Sequence, residues 1–167
     1  MLTVQITSYA ATWFLPFALP ICLWVMFSDL STMRIRNKAV IALAVIFLAV
    51  APFVMPISAI PWQLVQLVIV LLVGMVLNAA GLLGAGDAKF CAAAAPFVAP
   101  GDSLIVLQIL FAMMLIAFVA HRLARMSPLR NLAPDWESWT AQGKFPLGLA
   151  LGPSLILYLG LGIQYGG

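Results

Sequence analysis

Lys38-AVIALAVIFLAVAPFVMPISAIPWQLVQLVIVLLVGMVLNAAGLLGAG-Asp87 encloses 48 residues without one charged side chain. A helix needs about 20 apolar residues to cross the hydrocarbon core of a bilayer. The window is therefore too long for one crossing and long enough for two. Pro52, Pro56 and Pro61 fall near its middle, where helices must break, so the window predicts helices near 39–55 and 62–83. Outward from it, charge-free stretches predict further spans near 10–27, 103–121 and 145–163. A shorter apolar piece, 88–100, fits a sixth crossing only if the bilayer thins or Lys89 snorkels outward.

Composition agrees. The chain is 65% hydrophobic and 8% charged, with a mean hydropathy of +1.14, whereas soluble domains carry about 25% charged residues. The expectation is an all-α integral membrane protein, a polytopic bundle of about six transmembrane helices forming one membrane-embedded domain over 1–167. Residues 1–28 carry no charge, so the basic start of a secretory signal is missing and the first segment reads as a retained span. Cys22 and Cys91 lie in apolar segments with no metal-ligand spacing and read as inert thiols. His121 is the only histidine, which leaves neither HExxH nor a Ser–His–Asp order, and no metal or other cofactor is implied.

With six spans, loops 28–38, 81–89 and 121–144 share one side. They contain Arg34, Arg36, Lys38, Lys89, Arg122, Arg125, Arg130 and Lys144, all eight basic residues of the chain, while the opposite loops hold only Asp102. Lysine and arginine mark the cytoplasmic side, so both termini are expected outside. The net charge of +3 is thus an orientation signal, not a nucleic-acid surface. The largest polar piece, 122–144, reads as an interfacial loop with Trp136 and Trp139 at headgroup depth. His121 reads as an interfacial polar residue, and Gln63, Gln66 and Asn78 as hydrogen-bonding groups between helices.

Only five carboxylates occur in 167 residues, and two sit at span boundaries. Asp29 closes the first apolar segment in FSDLSTMRIRN, and Asp87 lies in GAGDAKF. The six-span order puts both at the cytoplasmic face and at similar depth. Ionisable groups at such sites are costly unless functional. Two adjacent carboxyls hold one proton between them, so one can activate water while the other polarises a peptide carbonyl. Gly81, Gly84 and Gly86 leave bare backbone beside Asp87, where a peptide or helix can come close. Asp87 also has a plain structural reading as a helix N-cap, and Lys89 reads as an inside-facing anchor.

The two segments together resemble the type IV prepilin peptidases, membrane aspartic proteases of the GxGD group. In that family an aspartate after the first helix is followed closely by Ile-Pro-Asn, and Asp29 here is followed by Ile35-Arg36-Asn37. The second motif, Gly-x-Gly-Asp-x-Lys, is matched in full by Gly84-Ala85-Gly86-Asp87-Ala88-Lys89. A Pro-Tyr-Gly step before the last helix corresponds to Lys144-Phe145-Pro146-Leu147-Gly148. Arg36 stands where the family has Pro, and Leu147 where it has Tyr. There is no cytoplasmic insertion with paired CxxC motifs, so the chain is similar to the short form associated with Flp pili of the tight-adherence (Tad) system.

The resemblance implies an aspartic endopeptidase of the bacterial inner membrane that removes the short basic leader of prepilins at the cytoplasmic face. Asp29 and Asp87 would be the catalytic pair, with Gly84, Gly86 and Lys89 shaping the site. Its partners would be a prepilin and the lipid bilayer, without nucleic acid; its oligomeric state stays open. A small proton-coupled transporter or channel subunit is the alternative from another class, and a non-catalytic scaffold of a pilus or secretion system a third.

Overall fold

The computed structural model describes residues 3–141 and 145–167, so Lys144 lies outside the described residues. Six helices follow one another: α1 (Ser8–Thr32), α2 (Asn37–Val54), α3 (Ile60–Ala79), α4 (Ala85–Ala94), α5 (Ser103–Met126) and α6 (Gly148–Tyr165). All but α4 are long and apolar enough to cross a membrane. Short 3-10 turns join them, and an isolated bridge between Val4 and Gly166 brings the two ends of the chain together.

The breaks have local causes. Pro52 stands inside α2 and does not end it. Met55 ends it, extended as a residue before proline tends to be, and Pro61 opens the first turn of α3, where its missing N–H leaves no bond unmade. At the end of α3 the Leu82 N–H reaches Leu77 O and the Gly81 N–H reaches Asn78 O, both 2.9 Å. This Schellman stop needs the positive φ (74°) of Gly81. Gly81 therefore terminates a helix and lines no site. Asn78 closes the same turn through Leu83 O (2.7 Å) on an exposed face, against the expectation that it joins helices. Gln66 does join them, donating to Val98 O at 2.9 Å.

That bond fixes the direction of the short fourth segment. Gly74, in the second half of α3, packs on Ala88 at the start of α4, and Gln66, nearer the start of α3, meets Val98 beyond its end. So α4 and the 3-10 turn Ala95–Phe97 run back along α3 and return the chain to the end where the termini lie.

Phe14 of α1, Phe47 of α2 and Phe97 meet at the centre, with ring centroids 4.9–5.8 Å apart. Around this cluster Leu43, Phe90, Leu159 and Tyr158 are fully buried. α1 and α6 pack closely because Gly148 and Gly152 put bare backbone on the contact; a methyl at Gly152 would sit 2.9 Å from Cys22 O. α3 and α5 instead expose rows of Val, Leu, Met and Phe, including Val76 and Phe111. In water such a surface would be an aggregation liability; against lipid it is a solvent-matched wall.

Candidate active site

Asp29 lies in the last turn of α1, only 5% exposed. That end of its own helix disfavours a negative charge. The start of α6 supplies what α1 lacks: the Gly148 N–H donates to Asp29 Oδ2 at 2.7 Å, and a helix N-terminus is an anion site. Gly148 is the only residue type that fits, since a methyl there would lie 2.9 Å from Asp29 Cβ and 3.2 Å from Cγ.

Asp87 is the third residue of α4. The N-cap is Gly84, so the simple capping reading of Asp87 is displaced by one turn of chain. Its carboxyl folds back over Gly84, where any side chain would collide with Oδ2. An acid at this third position commonly reaches back to the capping residue's amide. Burial first, then the charge of Asp29, push the Asp87 carboxyl up to about 6, with the Gly84 amide pulling the other way. The two acids, 58 positions apart in sequence, thus act on each other through space.

Two contacts hold their segments together. Gly86 packs on Ile35, and a Cβ there would sit 3.2 Å from Ile35 Cβ. Lys89 Nζ donates to Asn37 Oδ1 at 3.3 Å. Both partners belong to the Ile35-Arg36-Asn37 stretch. Arg36, the residue in proline's place, keeps φ at −75°, within proline's own range, so the chain path into α2 is unaltered.

At this end of the bundle the long loop is less peripheral than its polarity implies. Trp139 is buried; it stacks on His121 at 5.0 Å and donates through Nε1 to Ala133 O at 2.8 Å. Trp136 stacks on Trp139 and meets Phe27 edge-on at 5.8 Å, two residues before Asp29. His121 is likewise enclosed, with Nε2 and the neighbouring loop's Ser138 Oγ lacking partners among the described residues.

The opposite end has its own buried acid, which sequence reasoning left as a loop residue. Asp102, 1% exposed, accepts the Gln5 N–H at 2.8–2.9 Å, the Ile6 N–H at 3.1 Å and the Tyr158 hydroxyl at 2.8 Å. Both its oxygens are taken up in tying remote segments together, and only the lone acid between two spans hinted at it. Cys22 and Cys91 are free thiols. Among the described residues no three His, Cys, Asp or Glu side chains converge in a metal-binding group.

What remains chemically is a pair of carboxyls, on α1 and α4, at one end of an apolar bundle and flanked by glycine backbone. No curated protein and no solved structure matches the chain. Residues 16–121, well over half of it and including both aspartates, match the description of the type IV leader peptidase family. The chain belongs to that family of membrane peptidases.

Proposed function

We propose that the protein is an aspartic endopeptidase that removes the short basic leader from prepilins of the Flp type, at the cytoplasmic face of the bacterial inner membrane. The observation that carries this is the pairing of Asp29 and Asp87, drawn from distant segments to one end of the bundle and close enough for one charge to raise the other's proton affinity. All basic residues in the described loops lie at that same end, which supports its being cytoplasmic.

The chemistry follows from one shared proton. The ionised carboxylate takes a proton from water as its oxygen attacks the scissile carbonyl carbon. The protonated partner donates to the carbonyl oxygen, giving a tetrahedral gem-diol. Collapse breaks the C–N bond, the leaving nitrogen collects a proton from the pair, and the leader departs as a carboxylate. Because the pair titrates as a unit, neither aspartate is assigned a fixed role. Glycine at 84 lets the Asp87 carboxyl fold over the start of α4, glycine at 86 lets the segment close on Ile35, and Lys89 ties it to α2 through Asn37. A carboxylate pair at one end, not at the midplane, suits cleavage next to a membrane-embedded pilin helix better than ion transport.

The test is cleavage of a leader-bearing pilin peptide by purified protein in detergent. Wild type should cut it, and Asp29→Asn and Asp87→Asn should each abolish cutting while retaining a folded bundle. Robust cleavage by either variant removes the pair from the mechanism.

A further inference from the structure

α5 ends in cationic side chains that the proposed reaction does not use. Arg122 and Arg125, three positions apart, share a helix face. The 3-10 turn Pro128–Leu132 then brings Arg130 back to the same place. Together with Met126 they line a cavity of about 300 Å³ that no carboxylate enters. A cation at a helix C-terminus is ordinarily explained by the macrodipole. That accounts for one arginine, but three guanidiniums around one cavity repel each other unless an anion joins them.

The rim narrows the choice of anion. Met126 in its lining is exposed, as are Leu123, Leu129 and Leu132 on the same helix end and turn, and the helix is long and apolar enough to cross a membrane. A cationic hollow at the end of a membrane-length helix, with exposed apolar side chains on the same elements, matches a phosphodiester carrying acyl chains. A soluble acidic peptide would leave the apolar rim unused, and a basic leader would be repelled. We infer that this cavity binds the phosphate headgroup of an anionic phospholipid. His121, next to Arg122, stacks on Trp139, and Trp136 continues the stack to Phe27 of α1. That stack runs from the last turns of α5 to the helix that carries Asp29.

The test reads lipid retention, not cleavage, so it stands or falls apart from the proteolytic reading. Purified protein in a neutral detergent is offered equal phosphatidylglycerol and phosphatidylcholine and examined by native mass spectrometry. Wild type should retain phosphatidylglycerol selectively. Each of Arg122→Gln, Arg125→Gln and Arg130→Gln should weaken retention about fivefold, and inorganic phosphate at the same concentration should not compete. Arg130→Gln lies outside the long helices, so it carries the test even if the two α5 variants fail to fold. Equal retention of both lipids, full retention by the arginine variants, or displacement by free phosphate each overturns the assignment.

Discussion

Replacing Gly148 with alanine places a methyl 2.9 Å from Asp29 Cβ and 3.0 Å from its Oδ2. Rotation of the carboxyl relieves the second contact but not the first, because Cβ is fixed to the α1 backbone. The start of α6 must back away by several tenths of an ångström, and the 2.7 Å bond from the Gly148 N–H to Oδ2 lengthens with it. Overpacking of this kind costs about 1–3 kcal/mol. A hydrogen bond to a charged group contributes about 1.5–3 kcal/mol, part of which is lost here. If the Gly148 amide positions Asp29 for chemistry, loss of about 1.4–2.8 kcal/mol at the transition state lowers cleavage 10- to 100-fold. The assay is leader-peptide cleavage beside thermal unfolding in detergent. Gly160→Ala is the control, since nothing lies within 4 Å of a methyl there on the same helix. It should cleave normally and unfold no earlier than wild type. Wild-type cleavage by Gly148→Ala with unchanged unfolding refutes the positioning argument; equal damage from both substitutions refutes the steric one.

Three further outcomes follow from other contacts. Burial and the charge of Asp29 push the Asp87 carboxyl from the ordinary 3.8 up to about 6 in the fold, so the native state holds the extra proton and loses stability as pH climbs through this interval. Asp87→Asn should therefore unfold later than wild type at about pH 8 and alike at about pH 4; a pH-independent difference contradicts the cause assigned to the shift. A double-mutant cycle of Asn37→Ala and Lys89→Met should give a coupling of about 0.5–1 kcal/mol in unfolding, and additive effects would mean that the Nζ–Oδ1 contact is not formed. Asp102→Ala strands two N–H groups and a tyrosine hydroxyl in a buried site, with an expected loss of about 3–5 kcal/mol. Chemical unfolding measures it, and unaltered cleavage by the folded fraction would confirm that this acid serves the fold alone.

Much of this was legible because bilayers and prolines act locally. A 48-residue uncharged run had to hold two helices, and Pro56 and Pro61 delimit the gap between them. Asp29 and Asp87 stood out because so few charges surround them. What sequence could not supply were closures between remote segments. The donor to Asp29 comes from 119 residues away, and the acceptor for Gln5 from 97; backbone amides carry no sequence label. The burial of Trp139 was hidden for a related reason: composition does not show that His121 offers the ring a flat face and Ala133 O an acceptor. Asn78 was equally able to cross to a neighbour or to close its own turn, and the helix stop at Gly81 decided it.

The placement of these contacts bears on how the two acids meet. α1 and α6 are pinned to each other at both ends, by the Gly148 amide on Asp29 and by the Val4–Gly166 bridge, while Asp102 ties the residues before α1 to the start of α5 and to Tyr158 of α6. Asp29 thus sits on a frame with little freedom. Asp87 rides on α4, the shortest helix, packed mainly on α3. Two of its links towards α1 at this end run through the α1–α2 connection: Gly86 on Ile35, and Lys89 on Asn37. That connection leaves α1 through Met33 in the left-handed region, at φ 51°, a strained conformation for a side chain of that size. Residues 33–37 therefore help to set where Asp87 stands relative to Asp29. This is a physical reason for Ile35 and Asn37 to stand close behind Asp29, although neither carries chemistry of its own.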